Sequence, residues 1–380
     1  MGLLLIAVGA GVLFYVLAGY PLLLALWARL RSAPRVRCFE PRTVSVLVAV
    51  HNGARWMAAK LDTLQALDYP PERVEIWILN DGSTDETAAI VQARQAEDPR
   101  IRLVTVPKGG KAAALNAGLA AATGEILFFT DVRQPLEPNA LRELVAAFAD
   151  PRVGVVSGEL VLLDDGGVPL QSVGLYWRYE KIIRRLQSDL GCMLGATGSI
   201  YAMRRTLARP MPAGLLLDDV FQPLGAALDG HRVVLETRAK AYDQTAQLRD
   251  EFRRKVRTQA GVIQLWRLFP RLWWPPSAAW FHFSSHKLGR LALPWALVLV
   301  AVGTALWDSP ARWVLAAVQL AGYGLAAVDP WIGERHLLKR LSAPLATFLV
   351  LMAAAVAAIP AAFQPPEKVW AAPQGASARR

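Results

Sequence analysis

Three hydrophobic runs in this sequence stop at polar residues able to do chemistry. Val48-Ala49-Val50-His51-Asn52 ends the first, Asn80-Asp81-Gly82-Ser83-Thr84-Asp85 the second, and Phe128-Phe129-Thr130-Asp131-Val132-Arg133 the third. Lys108-Gly109-Gly110-Lys111 opens an alanine-rich helical pattern between the last two. A carboxylate at the carboxyl end of a buried parallel strand, the place of Asp81, can accept from a base or a ribose. Asp131 can hold a divalent cation against diphosphate oxygens. The glycines let a phosphate approach the backbone, and Lys111 adds positive charge at the helix start. Taken singly these features are ordinary: Asp-Gly-Ser caps helices, and a first-turn lysine is solvated and opposes the helix dipole. Their recurrence at one edge is what favours a site for an anionic ligand.

The elements that must position these residues alternate. Thr43 to Val50, Val74 to Leu79, Ile101 to Val106 and Ile126 to Thr130 are short apolar runs of the kind a strand buried on both faces shows. Helical stretches at Ala54 to Leu67, Asp85 to Ala96 and Lys111 to Ala122 separate them. The pattern predicts βαβ units and a mostly parallel, Rossmann-like α/β sheet. Further on, Val153 to Val156 and Leu160 to Leu163 read as two strands. A long helix follows from about Leu170 to Asp189, then the Gly-rich segment Gly191 to Gly198, a helix beginning at Asp218 and a basic helix from Glu251 to Trp266.

The order strand, Asp-Gly-Ser-Thr-Asp, Lys-Ala-Ala-Ala-Leu-Asn-Ala-Gly, strand, Asp131 resembles the GT-A domain of family 2 glycosyltransferases, over about residues 43–266. The apolar C-terminal part resembles the membrane-bound branch that includes cellulose, hyaluronan and poly-N-acetylglucosamine synthases. The resemblance implies that Val50, Asn52 and Asp81 hold the nucleotide. It places the Asp-x-Asp metal motif on Asp131 and Arg133, with a divalent cation, Mg2+ or Mn2+, on Asp131. Arg133 stands where the second carboxylate is expected and would neutralise diphosphate charge directly. Leu217-Asp218-Asp219-Val220 resembles the family's acidic pair, whose second member, here Asp219, is the general base. Arg254-Lys255-Val256-Arg257-Thr258 matches the Gln-x-x-Arg-Trp motif only in part, leaving Arg254 and Arg257 to face the diphosphate or, equally, anionic lipid.

The chain has 380 residues, 54% of them hydrophobic, and a formal net charge of +11. Its mean hydropathy is +0.28, too apolar for a wholly soluble protein. Gly2 to Ala28 carries no charge and is long enough to cross the roughly 30 Å hydrocarbon layer. It lacks the basic start of a signal peptide and ends in Arg29, Arg31, Arg35 and Arg37. It is therefore expected to be a retained anchor that leaves the following domain cytosolic. Leu272 to Gly289 (LWWPPSAAWFHFSSHKLG) suits an interfacial segment. Leu291 to Trp307, Trp313 to Val328 and Ser342 to Pro366 are charge-free, giving about three further spans. Glu334, Arg335, Lys339 and Arg340 suggest an inside loop, whereas Lys368, Arg379 and Arg380 leave the side of the tail open.

The expected domains are an N-terminal transmembrane helix (1–28), a basic linker (29–42), the GT-A domain (43–266), an interfacial segment (267–290), the C-terminal spans (291–366) and a tail (367–380). The basic residues gather beside apolar spans, which favours membrane lipids and gives no support to nucleic acid. Cys38 and Cys192 alone supply neither a disulfide framework nor a zinc site.

The expected activity is inverting transfer of a sugar from a nucleotide-diphosphate donor, UDP-linked, to a hydroxyl of a glycan or lipid acceptor at the inner membrane. Processive polysaccharide synthesis and single transfer to a lipid both stay open. The alternative is a catalytically inactive nucleotide-binding scaffold or regulatory subunit, suggested by the missing second carboxylate. Transport is disfavoured because the spans carry no ionisable residue of the kind that lines an ion path.

Overall fold

A computed structural model describes residues 1–31, 36–164, 168, 175–244, 248–275, 277–333, 336–365 and 369. The expectations for Arg35, for Glu334 and Arg335, for Lys368, Arg379 and Arg380, and for the helix before residue 175 lie outside the described residues.

Seven strands form one sheet: β1 (Val44–Val50), β2 (Val74–Asp81), β3 (Ile101–Val106), β4 (Ile126–Phe129), β5 (Val153–Leu163), β6 (Tyr201–Arg204) and β7 (Arg232–Gln244). Their order is β3-β2-β1-β4-β6-β5-β7. β3, β2, β1 and β4 are mutually parallel. β6 runs antiparallel to both β4 and β5, and β7 is parallel to β5. Chain order reverses between β1 and β4, and the crevice beyond the carboxyl ends of strands at such a reversal is where open α/β sheets bind ligands.

The helices behind this arrangement begin with α1 (Gly2–Arg31). There follow α2 (Ala54–Gln65), α3 (Thr87–Glu97), α4 (Lys111–Ala121), α5 (Ala140–Ala146), α6 (Leu175–Asp189), α7 (Asp218–Leu228) and α8 (Leu248–Leu268). Three long apolar helices close the chain: α9 (Ala278–Leu306), α10 (Ala311–Trp331) and α11 (Lys339–Ala361). Strands buried on both faces explain the core. Val46, Val48, Ile76, Ile78 and Phe128 face one side with Met57 and Leu61, while Leu47, Leu79, Leu127 and Phe129 face the other with Ala114 and Leu115.

Two stretches differ from the sequence reading. β5 is a single strand with irregular register against β7, because Gly158 lets the backbones approach. A Cβ there would stand 2.7 Å from Ala239 O. Within the expected interfacial segment, the stretch Ala278 to Gly289 is helical and continuous with the apolar run behind it, forming the first turns of α9.

Among the described residues, four helices (α1, α9, α10 and α11) are long and apolar enough to cross a membrane. α1 and α9 meet through glycines, where side chains are small enough for backbones to touch. A Cβ on Gly9 would lie 2.6 Å from Ala296 O, and one on Gly303 2.8 Å from Ile6 N. The opposite faces leave Leu3, Leu4, Trp295 and Val298 exposed, as are Trp313 and Val318 on α10. α1 is also tied to the α/β domain, since Tyr179 Oη donates to Val16 O at 3.0 Å and Gln187 Nε2 to Tyr20 Oη at 2.8 Å.

Candidate functional site

The ends of β1 and β2 are locked to each other by side chains that hold turn backbone. Asn52 has a positive φ of 51°, its N–H donates to Ser83 Oγ at 2.9 Å, and its Oδ1 accepts from Thr84 N at 2.8 Å. Asp85 accepts from Ala54 N at 3.0 Å and from Thr87 N at 3.1 Å, so it caps both following helices. Asp81, buried at the end of β2, accepts from Gly109 N at 2.7 Å and from Gly110 N at 3.0 Å. Its carboxylate thereby fixes the glycine turn that starts α4 and aims Lys111. Gly110 has a φ of +82°, which favours glycine at this turn.

Lys111 reaches across to the loop after β4 and to the start of α7. Its Nζ stands 2.9 Å from Asp131 Oδ1 and 3.1 Å from Asp218 Oδ2. Burial works against its charge, but Asp131 and Asp218 outweigh it and hold the ammonium well above the usual lysine range. Asp218 and Asp219 form the first turn of α7, where the helix N-terminus favours carboxylates. Asp219 differs from its neighbour: burial first, and then the charge of Asp218, push its carboxyl up to about 6 against the pull of Lys111. No hydrogen bond to the Asp219 carboxylate occurs among the described residues. Gly198 makes room for it, since a Cβ there would lie 3.2 Å from Asp219 Oδ2. Ala196 N donates to Asp219 O at 2.7 Å, which seats the Gly-rich loop on α7.

The loop carrying Asp131 is held from below by Lys60. This fully buried lysine donates to Thr130 Oγ1 at 2.6 Å and to Gln134 O at 2.8 Å. Arg133 pairs with Asp243 on β7 at 2.6 Å, and Gln134 Nε2 donates to the same carboxylate oxygen at 2.8 Å. Asp243 and Lys60 escape the sequence reading. Asp243 lies 110 positions from Arg133 on a strand whose alternation of charges and alanines does not look apolar, and Lys60 sits in an amphipathic helix like any solvated lysine.

A cavity of about 640 Å³ takes in Lys111, Asp131, Arg133, Asp218 and Asp219, together with Arg254 and Arg257 from α8. Val50, Asn52 and Asp81 lie outside its lining, at the strand edge behind Gly109 and Gly110. The strand-edge residues and the acidic cavity are joined by the turn before α4. Burial lowers the Arg257 guanidinium while Asp219 pulls it back up, so α8 faces the acidic pair electrostatically. Among the described residues no three His, Cys, Asp or Glu side chains converge to hold a metal ion. Asp131 nonetheless fits a cation that draws its remaining ligands from phosphate and water, because Mg2+-type sites commonly use one or two carboxylates plus substrate phosphates.

The geometry has counterparts elsewhere. The Glycosyl transferase family 2 model matches residues 45–209. A beta-monoglucosyldiacylglycerol synthase from Synechocystis sp. is 34% identical over 116 residues, which are 30% of this chain and 24% of that one. An N-acetylglucosaminyltransferase from Rhizobium meliloti is 26% identical over 200 residues, 50% of this chain and 47% of that one. The chain thus spans less than half of either relative in these matches. A solved structure of a mannosyltransferase from Pyrobaculum calidifontis, in complex with GDP-Man and Mn2+, has the same fold. It gives a TM-score of 0.72 at 23% identity over 94% of this chain and 98% of that one. Residues 45–209 of this chain, with their parallel β1 to β4, the Asp81 turn, Lys111 and Asp131, are thus similar to family 2 glycosyltransferases and share the GT-A fold of that mannosyltransferase.

Proposed function

We propose that this chain is a membrane-anchored, inverting glycosyltransferase that moves a sugar from a nucleotide-diphosphate donor, UDP-linked, to a hydroxyl of a glycan or lipid acceptor. The observation that carries the reading is Asp219: a carboxyl pushed up to about 6, without a hydrogen bond among the described residues, in one cavity with Lys111 and Asp131. A base poised near the working pH combines the right protonation state with driving force for proton transfer.

In this reading Val50, Asn52 and Asp81 bind the nucleoside at the strand edge, and the turn of Gly109 and Gly110 leads to the diphosphate. Lys111 supplies fixed positive charge where the leaving diphosphate gains negative charge. Arg254 and Arg257 add charge from α8. Asp131 would hold a divalent cation, as the Mn2+ of the related mannosyltransferase suggests, and such an ion would neutralise diphosphate oxygens. The acceptor hydroxyl enters on the Asp219 side, gives its proton to that carboxylate and attacks the anomeric carbon opposite the leaving group, which inverts the centre. Asp218, held by Lys111, helps to raise Asp219. Positioning and electrostatics supply most of the rate, since no covalent protein intermediate is required.

The Arg cluster after α1 supports a multi-pass inner-membrane protein with its catalytic domain on the cytosolic side. Incubating the purified full chain in lipid with a panel of nucleotide sugars, and detecting released nucleoside diphosphate, tests the activity. Nucleotide binding with no release from any sugar would instead favour the scaffold reading, which the pairing of Arg133 with Asp243 alone supports.

A further inference from the structure

The cavity does not end at Asp219. Its far wall is built by α6 and by the first turns of α9, which contribute Arg184, Lys287 and Arg290. Arg290 is matched by Glu180, to which it is ion-paired. Arg184 and Lys287 have no carboxylate within ion-pair distance among the described residues. The Arg184 guanidinium donates to the hydroxyls of Thr197 at 2.8 Å and Ser157 at 3.1 Å, which orient it without neutralising it. Two cations enclosed side by side, with the charge of Asp219 acting on both and that of Glu159 on Arg184 but with no carboxylate paired directly to either, cost desolvation and mutual repulsion, and an anion bound between them lowers both costs.

The position of Lys287 says which anion. From Lys287 to Leu306, α9 rises roughly 28 Å, close to the thickness of the hydrocarbon layer. With that segment spanning, Lys287 stands at headgroup depth on the side of the α/β domain, where lipid phosphates lie.

We propose that this basic end of the cavity binds the phosphate of a membrane lipid, and that the acceptor is a phosphate-bearing lipid whose hydroxyl is delivered to Asp219. The inference rests on the glycosyltransferase reading and deepens it. The lipid hydroxyl oxygen forms the new bond to the anomeric carbon and its proton goes to Asp219. The bond to the nucleoside diphosphate breaks with its electron pair on the leaving oxygen, so the products are glycosylated lipid and nucleoside diphosphate. Arg184 and Lys287 hold the phosphate throughout and make no bond to the sugar.

The test compares lysophosphatidic acid with the monoacylglycerol of the same chain, which differs only in lacking the phosphate, on the purified full chain in neutral detergent. Lysophosphatidic acid is expected to bind at least tenfold tighter. Lys287→Met should remove that preference and Lys287→Arg restore it, with the Kd for UDP unchanged and thermal melting monitored to show that both variants fold. Equal binding of the two lipids overturns the proposal, as does a preference that survives Lys287→Met. Competition by inorganic phosphate at the same concentration as the lipid would show a free-phosphate site and overturn the lipid assignment. A parallel loss of UDP affinity in Lys287→Met would assign the cations to the donor and also overturn it. Failure of the glycosyltransferase reading is read separately, as absence of nucleoside diphosphate release from the unmodified protein.

Discussion

Lys111 Nζ lies 2.9 Å from Asp131 Oδ1, so a residue of the glycine turn and a residue after β4 share one charge in the acidic cavity. The same ammonium reaches Asp218 at 3.1 Å. Removing it leaves three neighbouring carboxyl groups without their common counter-charge. Lys111→Met should therefore lower kcat/KM for nucleotide-sugar turnover by on the order of 10²- to 10³-fold, the range for loss of one preorganised electrostatic partner. The acidic limb of the pH–rate profile should also move to higher pH, because Lys111 is what pulls the Asp219 carboxyl down. An unchanged limb would show that the two groups do not interact.

Asp219 itself sets the second expectation. Its carboxyl is pushed up to about 6, and a base must be ionised to act, so kcat/KM should rise with pH through about 6 and level off above it. Asp219→Asn should lose on the order of 10²- to 10⁴-fold in kcat while leaving the Kd for the nucleotide within about twofold. Full activity in this variant would remove the proposed base.

The unequal legibility of the site follows from what each residue does. Asp81, Lys111 and Asp131 stand at ends of apolar strands or starts of helices, so their placement is written in local order along the chain. The four parallel strands are legible for the same reason, since each is a short apolar run bounded by turn residues. Asp243 and Arg184 act across the fold: one meets Arg133 from 110 positions away, and the other faces a helix that enters the cavity from the apolar C-terminal region. Nothing in their neighbours signals this. β7 is hidden because its second half alternates alanine with lysine and arginine, a composition that suits a helix as well as a strand. Gly158 conceals the continuity of β5, because a glycine within a strand pattern looks like a break and here marks close backbone approach.

A divalent cation held by Asp131 and donor phosphates, and by no cage of protein ligands, should bind only weakly without the nucleotide. Titration with Mn2+ monitored by electron paramagnetic resonance should show the Kd fall at least tenfold when UDP is added, and Asp131→Asn should abolish that gain. Arg133→Asp, which supplies the carboxylate the family pattern expects, should tighten Mn2+ binding in the absence of UDP. A tight Mn2+ site in the unmodified protein alone would contradict this assignment.

Lys60 gives a stability expectation with a definite sign. Burial pulls its ammonium down to about 7 from an ordinary value of 10.5, against the smaller opposing effect of Asp131. In this window the unfolded chain binds a proton that the folded chain has lost, so stability rises with pH. The contribution is complete above about 10.5 and lost as pH falls through about 7. Between those limits it amounts to roughly 1.4 kcal/mol per pH unit. Thermal melting of the full chain in detergent from pH 7 to 9 should rise relative to Lys60→Met, whose curve lacks this slope. Lys60→Met should also loosen Asp131, because the contacts to Thr130 and Gln134 O go with it.

The packing of α1 on α9 supplies the last expectation. Gly303 touches Ile6 N and Gly2 O so closely that any side chain must push the helices apart. Gly303→Leu should destabilise the protein by about 1–3 kcal/mol, the usual cost of overpacking. Because α9 also carries Lys287 into the cavity, the displacement should raise the KM for the acceptor more than that for the nucleotide donor, whose proposed contacts lie on β1, β2, α4, the loop after β4 and α8. Gly322→Leu is the control, since a Cβ at that position of α10 meets nothing within 4 Å and should change neither melting nor KM. Equal effects of the two substitutions would mean that insertion in the lipid, not the contact of α1 with α9, governs the outcome.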